Sequence, residues 1–195
     1  MSTVLSMAAF ALASSISPGP VNLVALGSGA RHGLRASLAH VTGATLGFDL
    51  LLILTGLGLH EVLRQWPILT FAIRLMGVLY LLYLAWKLAS DPGQLNPGRK
   101  LKIPTALGGA CMQWLNPKAW LACVAGMGAF VADGDITMVW VFAGVYLVVC
   151  WLSIAAWAGA GSLLRTRLSH APGVRWFNRA MALLLAGCAM LLLVE

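Results

Sequence analysis

The sequence predicts an all-α integral membrane protein in which six transmembrane helices are arranged as two inverted three-helix repeats. Three observations lead there. Of 195 residues, 60% are hydrophobic and 10% are charged, whereas soluble domains carry roughly a quarter charged residues. Apolar runs long enough to cross a hydrocarbon core of ~30 Å recur along the chain. The basic residues gather in alternate connections between those runs, as they do in multi-pass proteins.

The elements follow in order. Residues 1–30 hold no charged side chain and form the first expected span. Ala11-Leu12-Ala13 resembles a signal-peptide cleavage site, but no Lys or Arg precedes the apolar run and apolar character resumes after Pro20, so a retained first helix is expected. The second span, 37–59, contains one charge, Asp49; the third, 66–86, contains Arg74; the fourth, 103–132, contains Lys118. The fifth, 136–164, is charge-free over 29 residues, which suggests a tilted helix or one that extends past the bilayer. The sixth has 15 uncharged residues, 180–194, and spans if Arg175 and Arg179 snorkel to the interface.

Ten basic residues fall in three connections on one side: Arg31 and Arg35; Lys87, Arg99, Lys100 and Lys102; and Arg165, Arg167, Arg175 and Arg179. The alternate connections hold Arg64 beside Glu61, and the pair Asp133 and Asp135. This bias predicts both termini outside, on the periplasmic face of an inner (plasma) membrane. Residues 91–102, with Asp91-Pro92-Gly93 and Asn96-Pro97-Gly98 turns, form a linker between the halves 1–90 and 103–195 of a single transmembrane domain. Three spans is an odd number, so the halves would have opposite orientations, the plan of many secondary transporters.

The net charge of +7 does not indicate nucleic acid, because the basic residues form no stripe with interleaved aromatics. Cys111, Cys123, Cys150 and Cys188 lie 12, 27 and 38 residues apart, without redox or zinc spacing, and are expected to pack as small hydrophobes. No metal ligand set and no cofactor motif is present in the sequence.

Two interruptions carry the chemistry. Ser17-Pro18-Gly19-Pro20-Val21-Asn22 breaks the first span, and Asn116-Pro117-Lys118 breaks the fourth, each about 14 to 17 residues in. Pro removes a backbone donor and frees a carbonyl, and such backbone survives in lipid only where protein or a wet cavity surrounds it. The half-helix starting near Pro20 would aim its amides and positive dipole end at mid-membrane, with Asn22 one turn after Pro18. A structural kink is the plainer alternative for a single break. The second break adds a buried cation, which costs on the order of 2.5–3.5 kcal/mol at bilayer centre. Lys118 therefore needs a partner: a substrate carboxylate, Asp49, or a ring of freed carbonyls.

Asp49 is the one acidic residue well inside a span and is the candidate proton carrier or ammonium partner; a static ion pair with Arg74 or Lys118 is the alternative. His32, His40 and His60 are expected at span ends, and His170 in a basic loop. Trp66, Trp86 and Trp176 fit an interfacial belt, while Trp114, Trp120, Trp140, Trp151 and Trp157 are expected mainly to pack.

These residues together resemble the LysE/RhtB amino-acid exporters. The resemblance rests on Ser17-Pro18-Gly19-Pro20 with Asn22, Ser28-Gly29-Ala30-Arg31-His32-Gly33, Gly47 with Asp49, the stretch from Gly77 through Tyr80, Tyr83 and Trp86 to Lys87, and Gln113-Trp114-Leu115-Asn116-Pro117-Lys118-Ala119-Trp120. The region from Ile136 onward matches mainly in hydropathy. One departure concerns substrate size: many relatives carry Phe-Leu-Pro-x-Phe after the lysine, where this chain reads Ala125-Gly126-Met127-Gly128-Ala129-Phe130.

The resemblance implies export of amino acids or their derivatives, driven by the proton motive force, by a non-enzyme without a cofactor. The stretch around Trp114 to Trp120 looks like a branch that includes cysteine and O-acetylserine exporters. The expected substrate site comprises Pro18, Gly19, Pro20, Asn22, Asn116, Pro117 and Lys118, with protons exchanging at Asp49. Membrane lipids surround the chain, and self-association into a homo-oligomer is left open. A thiol-disulfide relay and a non-transporting membrane subunit are the rival readings.

Overall fold

The computed structural model describes residues 2–59, 65, 67–90, 104–131, 135–165 and 171–194, and these are all-helical. The linker expected over 91–102 and the side chain of Arg74 lie outside the described residues. In chain order the helices are α1 (Ser2–Ile16), α2 (Pro20–His32), α3 (Leu34–Leu54), α4 (Pro67–Ala89), α5 (Ala106–Trp114), α6 (Pro117–Phe130), α7 (Ile136–Arg165) and α8 (Ala171–Val194). A π-helical turn, Thr55–Leu59, prolongs α3 and ends beside Gly58, whose φ of 107° only glycine adopts readily.

Helix starts follow local chemistry. Pro20 and Pro117 open α2 and α6, where a missing N–H costs nothing. Thr105 Oγ1 accepts from the Gly108 amide at 3.0 Å and caps α5, and Asp135 Oδ1 accepts from the Thr137 amide at 2.8 Å at the start of α7. Gly33, with φ 82°, separates α2 from α3.

By length and composition, α3 and α7 can each cross a membrane; α1 and α2, bent by 63°, form a third span if taken as one. At 30 residues α7 is about 45 Å long at 1.5 Å per residue, longer than a ~30 Å core. The final helix starts at Ala171, so Arg175 and Arg179 ride on its exposed face instead of preceding it.

The helices sort their apolar side chains in two directions. Met7, Ala11, Phe48, Leu51, Leu52, Cys123, Phe142, Tyr146, Cys150 and Ile154 belong to a central cluster, and a second cluster joins α4 and α8 to Leu23 of α2. Leu5, Ile68, Phe71, Leu107, Leu152, Leu163 and Leu183 point outward and are exposed. An apolar outer surface of this extent suits a lipid solvent and not water.

Small residues let helix backbones touch, as membrane packing favours. A Cβ on Gly29 of α2 would stand 1.9 Å from the Ala158 carbonyl oxygen of α7, and one on Gly161 would stand 2.0 Å from the Leu26 carbonyl oxygen. Gly43 is equally close to Ala106, joining α3 to α5. The buried hydroxyls of Ser28 and Ser37 bond to each other at 2.7 Å across the α2–α3 turn.

Candidate functional site

Ending α1 at Ile16 strands the carbonyls of its last turn, and the structure answers them one by one. The Ser17 hydroxyl donates to the Ser14 carbonyl at 3.1 Å. Asn22, 5% exposed on the first turn of α2, donates its amide to the Ser15 carbonyl at 2.8 Å and the Ser17 carbonyl at 2.9 Å. The Trp157 indole on α7 donates to the Ile16 carbonyl at 3.0 Å. The Ser14, Ser15, Ile16 and Ser17 carbonyls therefore each have a donor, as the interior of a membrane demands.

The remaining donor comes from the second break. Asn116 caps α6 by accepting from the Lys118 amide at 3.2 Å, and the Trp120 indole donates to the Trp114 carbonyl at 2.8 Å. This turn projects Lys118 across to the first break. Its Nζ donates to the Ser17 carbonyl at 2.8 Å, to Ser17 Oγ at 2.7 Å and toward the Pro18 carbonyl at 3.4 Å. Of the three partners the sequence allowed Lys118, these contacts are the freed carbonyls.

Between the two breaks lies a small, half-open cleft, about 380 Å³ when the solvent at its mouth is included. Its polar wall is made by Ser14, Ser15, Asn22, Gln113, Asn116 and Lys118, and Tyr146 and Cys150 close it from α7. Tyr146 stacks on Phe48 with ring centroids 4.4 Å apart and shares a hydrogen bond with Ser14. Because the Ser14 hydroxyl points its proton at the Phe10 carbonyl, 2.7 Å away, the phenol is the donor in that pair. From Tyr146 the aromatic contacts continue through Phe142 to Phe130 and Phe10.

Of the residues singled out from sequence, Gly19, Asn22, Asn116 and Lys118 line this cleft. Pro18, Pro20 and Pro117 shape the breaks without appearing in its wall. Asp49 also stands outside the lining; its Oδ1 is buried and has no hydrogen-bond partner among the described residues. The sequence reading did not anticipate Ser14, Ser15, Gln113, Tyr146 or Cys150. Their signal was present: two serines end the first half-helix, and Tyr146 is the only phenol in a charge-free run.

His40, expected near a span end, is 1% exposed; its ring lies by the Val21 backbone, with neither nitrogen in a well-formed hydrogen bond among the described residues. It lies on α3 against Gly109 of α5, because the small residues there bring the helices together. Trp114, Trp120, Trp151 and Trp157 pack against the central cluster as expected, and their indoles also donate to the Gly47 carbonyl, the Trp114 carbonyl, the Thr42 hydroxyl and the Ile16 carbonyl. Cys111, Cys123 and Cys150 are free thiols.

Comparison with known proteins agrees with this architecture. A family model described as LysE type translocator matches residues 12–195. Cysteine/O-acetylserine efflux proteins of Escherichia coli (strain K12) and Shigella flexneri serotype 5b (strain 8401) are each 30% identical over 185 residues, covering 93% of this chain and 92% of theirs. The protein of that name from Salmonella choleraesuis (strain SC-B67) is 28% identical over the same spans. No solved structure matches.

Proposed function

The chain belongs to the LysE type translocator family, whose members are transporters and not enzymes, and we propose that it exports a small amino acid or amino-acid derivative across a bacterial inner membrane. The observation that carries this reading is the polar cleft between two helix breaks, walled by Asn22, Asn116, Lys118 and Tyr146 inside an otherwise apolar bundle. Its relatives' names point to cysteine and O-acetylserine as the first substrates to try.

Transport proceeds by alternating access in this reading, with six spans in two inverted repeats: α1–α2, α3 and α4 against α5–α6, α7 and α8. The packing supports two unequal seals. Where α2 meets α7, backbone touches backbone at Gly29 and Gly161. Where α6 meets α1 and α7, a Cβ on Gly126 would instead meet the rings of Phe142 at 2.7 Å and Phe10 at 3.1 Å. Rings can change rotamer where backbones must move as bodies, so the second seal is the thinner.

The substrate carboxylate meets Asn116 and Lys118, and Asp49 takes up and releases the coupling proton. Both termini lie outside, following the basic connections. Efflux of labelled amino acids from proteoliposomes, with and without an imposed pH gradient, tests the reading. Export of cysteine or O-acetylserine that accelerates with the gradient is expected; a protein that releases neither these nor any other amino acid overturns it.

A further inference from the structure

An exported zwitterion brings an ammonium as well as a carboxylate, and the cleft wall contains no acidic side chain to receive it. Just behind the wall, at the first break and reached from the cleft through Lys118, is a place already shaped for an ammonium. Ser17 offers its carbonyl at 2.8 Å and its hydroxyl at 2.7 Å, with the Pro18 carbonyl at 3.4 Å, and the primary ammonium of Lys118 sits among them. A helix break that frees carbonyls is a natural cation receptor, since three acceptors replace part of the hydration shell.

We infer that the Ser17 and Pro18 oxygens form the subsite for the substrate's ammonium, and that Lys118 occupies it as a tethered stand-in while the cleft is empty. The inference rests on the amino-acid reading above and deepens it. On binding, the substrate ammonium takes the Ser17 and Pro18 oxygens. Lys118, released from them, turns to the substrate carboxylate beside Asn116. One cation replaces another at the first break, so the freed carbonyls are never left bare, and the added carboxylate balances the added ammonium.

The stem of Lys118 passes over Gly19, in ordinary van der Waals range of where a Cβ would stand, and its ammonium lies at the junction of the cleft and the first break. The same contacts tie the first break to the second, so substrate that frees Lys118 also loosens the two halves from each other.

Binding of three probes to the purified full-length protein tests the inference: cysteine, cysteamine, which lacks the carboxylate, and 3-mercaptopropionate, which lacks the amine. Lys118→Met removes the stand-in and the carboxylate partner together. Cysteine should then bind at least 10-fold more weakly, while cysteamine binds about 5-fold more tightly than to wild type. Adding Ser17→Ala should cancel most of the cysteamine gain. Cysteamine binding no tighter to Lys118→Met than to wild type, or a gain indifferent to Ser17→Ala, overturns the subsite.

If Lys118→Met does not fold, Ser17→Ala alone decides: cysteine affinity should fall about 3-fold or more with 3-mercaptopropionate unchanged, and equal effects on both contradict the assignment. Failure of the export reading is distinguishable, because it is judged by wild-type efflux and the subsite by amine binding.

Discussion

The side-chain amide of Asn22 reaches back across the first break to the carbonyls of Ser15, at 2.8 Å, and Ser17, at 2.9 Å, fastening the start of α2 to the end of α1. Replacing it with Ala leaves the Ser15 carbonyl without this donor, at about 1–3 kcal/mol, while the Ser17 carbonyl keeps the Lys118 ammonium at 2.8 Å. Asn22→Asp cannot donate either and adds a buried charge. Thermal unfolding in detergent should rank wild type above Asn22→Ala, and Asn22→Ala above Asn22→Asp.

The α2–α7 seal predicts a paired result at two glycines of one helix. A methyl group on Gly29 would collide with the Ala158 carbonyl oxygen, whereas one on Gly27 meets nothing within 4 Å. Gly29→Ala should cost about 1–3 kcal/mol by overpacking. Gly27→Ala should be neutral or stabilise by about 0.5–1 kcal/mol through helix propensity. Equal thermal midpoints for the two variants would contradict the close approach.

Tyr146 serves the cleft through both its ring and its hydroxyl. Tyr146→Phe keeps the stack on Phe48 and loses the bond to Ser14, so stability should fall by about 0.5–1.5 kcal/mol. Half-saturating substrate concentration should rise several-fold in efflux assays. Tyr146→Ala, which empties a fully buried position, should cost about 3–5 kcal/mol.

His40 offers a test of a different kind. With neither ring nitrogen in a well-formed hydrogen bond among the described residues and the Val21 backbone the polar group beside it, an apolar side chain of similar size should be tolerated, since burying a poorly satisfied polar group carries a penalty. His40→Leu should therefore unfold at or above the wild-type temperature. A fall of several degrees would show that the imidazole has a partner that matters.

Much of the site was legible because membranes make exceptions conspicuous. Two prolines flanking a glycine, and a lysine within thirty apolar residues, stand out against hydropathy, and Asn22, Asn116 and Lys118 converge on one cleft. Freed carbonyls were one of three partners the sequence allowed Lys118, but which of the three it takes was not legible, because carbonyls carry no residue identity; the bend between α1 and α2 brings Ser17 within reach. Tyr146 and Cys150 were hidden for a related reason. In a run as apolar as α7, which face turns inward depends on helix rotation, and hydropathy with no polar stripe does not fix it.

The burial of His40 was not legible because position along a span does not say which face of the helix meets a neighbour. Glycines at 43 and 109 draw α3 and α5 into contact and seal the ring away wherever it falls along the helix. Asp49 stands out in the sequence as an acidic residue inside a span, yet Phe48, one residue earlier, lines the cleft and Asp49 does not.

The central claim is that substrate passes through the cleft between the two breaks, and filling that cleft tests it most directly. Ala122 lines it from α6 and is partly exposed to it. Efflux from proteoliposomes containing Ala122→Trp, at matched protein level and with a retained thermal midpoint, should fall at least 10-fold below wild type. Wild-type efflux from that variant would contradict the account.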